Sequence, residues 1–244
     1  MARHNPPMGN TLLVMAGFAV IVAVMLALTV RGGRQWRRKL DDILLPIGFT
    51  RCDAEGDKTA LAQRLQIVNP RHQGKRLLMH LYRRDAPDGS YALYVGDYRF
   101  ASAGGRTSGG SWVITALVAP SLALPPLAIH GIPQASALAT RLARALGDGL
   151  ELPGLRRVRT GDAALDARFQ IYLSPEPGAD TALPAILDTL SGPADTPSLD
   201  ARGDILVLSS VAMVADRMRQ VLDSHKLQAQ LHLAHQLFQK LHRN

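Results

Sequence analysis

The stretch RLLMHLYRRDAPDGSYALYVGDYRF, residues 76–100, decides the fold. Two runs rich in Leu, Tyr and Val, Arg76–Arg83 and Tyr91–Phe100, flank Asp85-Ala-Pro-Asp-Gly-Ser90. Asp88-Gly89 is a strong turn pair, because Gly reaches positive φ without a Cβ penalty and Asp tolerates the left-handed region. The segment predicts an antiparallel hairpin. A Gly-rich connection, Ala101–Ser111, leads to Trp112-Val-Ile-Thr-Ala-Leu-Val118, which reads as a third antiparallel strand.

Toward the C-terminus the pattern alternates. A Pro-rich bend and a strand at Leu127–His130 come next, followed by a helix opened by Pro133 and closed by Gly147, with Ala135, Leu138, Leu142 and Ala145 on one face. Phe169, Ile171 and Leu173 alternate as a strand, and Leu183, Ile186, Leu187 and Leu190 form a helical stripe. Residues 192–197 read as a loop, Ile205–Leu208 as a last strand, and Ser209 or Ser210 as the cap of a long terminal helix. Trp112–Ile129 is free of charge, but Pro120, Pro125 and Pro126 would remove backbone donors from a membrane span there. Two strands joined by a bend are expected instead.

Toward the N-terminus, Trp36, Leu40, Ile43, Leu44 and Ile47 make one helical stripe that Gly48 ends and Pro46 weakens. Asp57 is placed to cap a second helix through Val68, which Asn69-Pro70 breaks. Ahead of these, Thr11–Val30 carries no charge and is closed by Arg31, Arg34, Arg37, Arg38 and Lys39. Twenty helical residues at about 1.5 Å each span roughly 30 Å, the hydrocarbon thickness of a bilayer. A cleaved signal peptide would be shorter, would carry its cations first and would end in a small-x-small site. The cations lie mostly after the span, with only Arg3 and the amino terminus before it, so the positive-inside tendency places the body in the cytoplasm and the N-terminus outside. Cys52 is the only cysteine, which rules out an intrachain disulfide and suits a reducing compartment.

The expected organisation is a tail over 1–10, a transmembrane helix over 11–30, and a basic amphipathic helix over 31–48. An α+β domain over 49–210 and a C-terminal helix over 211–244 follow. The fold class is α+β, a mainly antiparallel sheet with packed helices. Net charge is +8 and uneven: 18 cationic and 9 acidic side chains in 1–150, 5 and 9 in 151–210, 5 and 2 in 211–244.

Three short motifs carry a resemblance. Gly96-Asp97-Tyr98, Leu124-Pro125-Pro126-Leu127 and Gly161-Asp162-x-x-Leu165-Asp166-x-x-Phe169-x-Ile171, behind a single membrane helix, resemble an uncharacterised family of bacterial membrane-anchored proteins. The likeness covers roughly residues 75–210. It implies a shared cytosolic α+β fold on the inner membrane more than a shared activity, because its residues are apolar or turn-forming.

The chemical motifs are mostly absent. Gly-x-Ser-x-Gly, the phosphate loop, His-Glu-x-x-His and Cys-x-x-Cys do not occur. Asp53, Glu55 and Asp57 have the spacing of a calcium loop, but Lys58 and Arg64 stand where Gly and the bidentate Glu belong. Residues 104–110 are Gly-rich without a strand-to-helix setting, and read as a hairpin loop rather than a phosphate cradle. Cys52 beside Arg51 lacks a placed His, and His80 falls in an apolar strand pattern. No metal or other cofactor is expected, and the charge comes without an aromatic platform for nucleic acid.

The terminal helix carries two stripes. His225, His232, His235 and His242 form a polar one that reads as a pH-sensitive face, with no carboxylate or thiolate nearby to complete a metal set. Leu227, Leu231, Ala234, Phe238 and Leu241 form an apolar one whose 4, 3, 4, 3 spacing matches a short heptad seam, expected to project and to capture a partner or a second copy. Arg31, Arg34, Arg37, Arg38 and Lys39 are expected to contact anionic lipid headgroups. The function expected is that of a membrane-tethered, non-catalytic interaction or scaffold module. The second reading is an enzyme at the membrane surface acting on an anionic substrate.

Overall fold

The computed structural model describes residues 31–68, 76–100, 111–132, 152–192, 197–210 and 222–242. The expected membrane helix over 11–30, the helix from Pro133 to Gly147 and the stretch 211–221 lie outside these residues. Among the described residues no helix is long and apolar enough to cross a membrane. The chain divides into two compact units, Met1–Ile43 and Leu44–Asn244.

Residues 31–44 are helical (α1), with Trp36 and Leu40 buried as the stripe predicts. A 3-10 turn, Leu45–Ile47, follows, since Pro46 cannot supply an α-helical donor. Gly48 ends it at φ 87°, in the left-handed region that an L side chain resists.

The second unit is built on nine strands. They are β1 (Thr50–Arg51), β2 (Arg76–Asp85), β3 (Ala92–Phe100), β4 (Ser111–Val118), β5 (Leu124–Gly131), β6 (Arg156–Val158), β7 (Phe169–Leu173), β8 (Pro197–Gly203) and β9 (Ile205–Ser210). Their order in the sheet is β1-β2-β3-β4-β9-β8-β5-β7-β6, and every neighbouring pair is antiparallel. The α+β class and the antiparallel sheet stand as expected. Among the described residues four helices accompany the sheet: α2 (Glu55–Val68), α3 (Ala163–Arg168), α4 (Leu183–Ser191) and α5 (Ser224–His242).

Strand alternation sorts the core. Ile114, Ala116 and Val118 on one face of β4 pack with Leu61, Leu65 and Val68 of α2. Val113, Thr115 and Leu117 point to the opposite face, where α5 crosses β4 and lies against α4. An ion pair between Arg64 on α2 and Asp204 at the β8–β9 turn fastens α2 across the sheet.

Several local expectations are corrected. Helix α2 begins at Glu55, so Asp57 sits inside the first turn, where its charge still favours the positive helix end. Pro125 and Pro126 lie within β5 rather than in a bend before it. They are tolerated in an interior strand because the pairing with β8 slips between Leu124 and Leu127, leaving no ladder bond for the missing N–H groups. Strand β8 begins at Pro197, the end of the expected loop, and alternates buried Pro197, Leu199 and Ala201 with less buried Ser198 and Asp200, a pattern with only one large apolar side chain. The terminal helix does not run from Ser209 or Ser210: β9 extends to Ser210, and α5 starts at Ser224, where Asp223 Oδ1 accepts bonds from the His225 and Lys226 amides at 2.9 and 3.3 Å.

The apolar stripe of α5 does not project. Leu227, Leu231, Ala234 and Phe238 are buried in the unit's own core, with Leu241 half-buried. The reason is the width of the face: Leu233 and Leu237 are buried too, so the helix presents a broad arc suited to a sheet rather than a two-position seam. This covers the surface that the sequence assigned to a partner.

Candidate functional site: a groove beside the last strand

The two walls of a groove are set by short-range backbone chemistry. After β6 the chain turns through Thr160-Gly161-Asp162, with Gly161 at φ 82°. Asp162 caps α3 by accepting from the Ala164 and Leu165 amides at 2.7 and 3.2 Å. Asp166 Oδ1 accepts from both the amide and the hydroxyl of Thr160, each at 2.9 Å, and these two bonds hold its carboxyl below the usual carboxylate range. The motif that carried the resemblance is thus a helix cap with a tie behind it.

The opposite wall is α4. Its entry is a turn in which Thr181 Oγ1 donates to the Gly178 carbonyl at 2.7 Å and Pro184 occupies the first turn. Arg168 Nη1 at the end of α3 donates to the Ser191 carbonyl at the end of α4, 2.8 Å away, which joins the walls at one end.

Between them lies a groove of about 860 Å³ whose apolar lining is Val158, Leu165, Leu173, Leu183, Pro184 and Leu187. Arg156, Arg159 and Asp162 come from β6 and the turn after it, and Asp180 and Asp188 from the entry and body of α4. The acids are largely committed, Asp162 to its cap and Asp188 to an ion pair with Lys240 of α5. Arg156 and Arg159 are exposed, and among the described residues neither makes a hydrogen bond or an ion pair. Among the described residues β6 ends the sheet order and pairs with β7.

The residues singled out from sequence fall elsewhere. Arg31, Arg34, Arg38 and Lys39 are exposed on α1, and Arg37 is half-buried. His225, His232 and His242 are exposed and do not converge; among the described residues no group of three potential metal ligands occurs. His235 acts as a fastener, with Nδ1 2.8 Å from the Tyr91 hydroxyl and Nε2 2.8 Å from the Gln239 amide nitrogen. Phe238 packs on the Tyr91 ring at 4.6 Å and His242 stacks on Phe238 at 5.3 Å, so this end of α5 clasps the tip of the β2–β3 hairpin. Cys52 is buried, its amide donates to the Leu81 carbonyl at 2.8 Å, and burial, then the Asp57 charge, pushes its thiol up, which suits a structural side chain.

The other two resemblance motifs are also architectural. A Cβ on Gly96 would sit 2.9 Å from Leu78 Cδ2, beside the bulge of β2 between Leu78 and His80, so Gly96 makes room for a core leucine. The paired prolines mark the β5 slip. The groove itself went unread. Its available signal was the basic run Arg156-Arg157-x-Arg159 ahead of the Gly161-Asp162 turn.

Comparison with family models, curated proteins and solved structures finds no match to this chain.

Proposed function

We propose that this protein is a membrane-tethered interaction module. In this reading the apolar segment 11–30 anchors it in the inner membrane, α1 offers its exposed cations to anionic headgroups, and the α+β unit holds a segment of a partner protein in the groove on the cytoplasmic face. The observation that carries it is a groove of about 860 Å³ with a largely apolar lining, in which Asp162 serves a helix cap and Asp188 an ion pair. The partner surface accordingly moves from α5 to the β6–α4 groove.

The test is a photo-crosslinking side chain at Leu183 in the full membrane-inserted chain, compared with one at the exposed Gln63 of α2. A discrete protein adduct at 183 that is absent at 63 is the expected result. No adduct at 183, or equal adducts at both positions, overturns the proposal.

A further inference from the structure

A second, smaller cavity opens where the end of α2 meets the β5 slip, and its wall differs from that of the groove. We propose that it binds a small apolar α-amino acid as the zwitterion, with the carboxylate on Arg202 and the ammonium on Glu176.

Size sets the class of guest. The cavity holds about 330 Å³, near the lower end of the range of about 300–1,000 Å³ typical of small-molecule sites, and so suits a compact molecule rather than a chain segment. Ile67, Leu127 and Leu155 supply apolar wall, and Pro126, Pro153 and Pro175 stand around it. Ile67 is 57% exposed, so an apolar guest covers surface that now meets water. The prolines stiffen the wall and carry no N–H group for the guest to leave unpaired. The Leu155 amide donates to the Leu152 carbonyl at 3.0 Å across a turn with Gly154 at φ 75°, and the Ser174 amide donates to the Pro126 carbonyl at 2.9 Å. A wall pinned in this way costs little to order on binding.

Charge selects the guest further. Among the described residues the cavity is lined by one cation, Arg202, and one anion, Glu176. Pro125 and Pro126 together face Arg202, between the pairs Leu124–Gly203 and Leu127–Ala201, and a bulge of this kind re-aims the side chains beside it. Arg202 Nη1 makes one long bond, to the Ile67 carbonyl at 3.5 Å, which uses one of five guanidinium N–H groups. Glu176 is exposed; its amide donates to Ser174 Oγ at 3.3 Å, and among the described residues its carboxylate makes no bond. A net anion meets Glu176 and a net cation meets Arg202. A zwitterion gives each a charge-assisted bond and leaves its apolar side chain for the wall.

The experiment is equilibrium dialysis of radiolabelled leucine against the full chain in detergent. Competitors are isoamylamine, which lacks the carboxylate, and 4-methylpentanoate, which lacks the ammonium. Saturable leucine binding is expected, with each analogue competing at least about tenfold more weakly than unlabelled leucine. Arg202→Gln and Glu176→Gln should each weaken leucine binding about tenfold with unaltered circular dichroism. Since Arg202 also touches the end of α2, the Glu176 variant keeps the test decisive where the other is unstable. No saturable binding at millimolar leucine, competition by either analogue equal to that of leucine, or full binding by the Glu176→Gln chain overturns the proposal. None of these outcomes bears on the Leu183 adduct, which tests the groove alone.

Discussion

Truncating Leu231 or Phe238 distinguishes a core helix from a projecting seam. Both side chains are almost fully covered, at 6% and 7% exposure. Leu→Ala and Phe→Ala in a core cost about 2–5 and about 3–5 kcal/mol, and about 3 kcal/mol each is taken for these two sites. With a urea slope of about 3 kcal/mol/M for a unit of this size, each substitution lowers the urea midpoint by about 1 M. The residues are seven apart on one helix, about 10 Å along its axis, so their effects add to about 6 kcal/mol. That is comparable to the whole stability of many domains, so Leu231→Ala/Phe238→Ala should be largely unfolded at rest. The assay is urea denaturation of the full chain in a mild detergent, read by circular dichroism, with light scattering for oligomeric state. Wild-type midpoints in both single variants, accompanied by loss of self-association, would refute the packing argument and restore the external seam.

Thr115 Oγ1 is buried without a hydrogen-bond partner on the α5 face of β4, so Thr115→Val should raise stability by about 1 kcal/mol in the same urea assay. Asp166, whose folded carboxyl titrates below its unfolded value of about 3.9, contributes stability that is full above that value and lost as pH falls through the folded one. The difference in urea midpoint between wild type and Asp166→Asn should therefore persist at pH 6 and shrink below about pH 4. Cys52 should resist a thiol reagent at pH 7 in the folded chain and react readily once urea unfolds it, its burial raising the thiolate cost and blocking access. A C-terminal alkaline phosphatase fusion should be inactive and a fluorescent-protein fusion bright, as the cation asymmetry around residues 11–30 requires; the reverse pair would place the body outside.

Local signals in this chain were readable where one element's needs dominated. The β2–β3 hairpin, β4, β7 and α4 follow from alternation, a turn pair or a helical stripe, because each buries a clean apolar face. β8 was not read because its buried positions are Pro197, Leu199 and Ala201, one large apolar side chain behind a proline, and β6 because three residues carry no period. The α5 stripe was found but its target was not, because Leu233 and Leu237 broaden the face beyond a heptad seam. The groove depends on β6, α3 and α4 meeting across the fold, a juxtaposition that no single window contains. The motifs at Gly96, Pro125 and Gly161 mark a bulge, a slip and a cap, and so point to shape rather than chemistry.

The pairing of β4 with β9, Val118 opposite Ile205, joins the first four strands to the other five. A ribosome moving at about 5–20 residues per second needs on the order of ten seconds to travel from one to the other. Throughout that interval β4 is a hydrophobic strand with one side open, a template for any other unpaired strand nearby. The nascent chain is therefore most vulnerable between the completion of β4 and the emergence of β9, the interval in which a chaperone would serve it best.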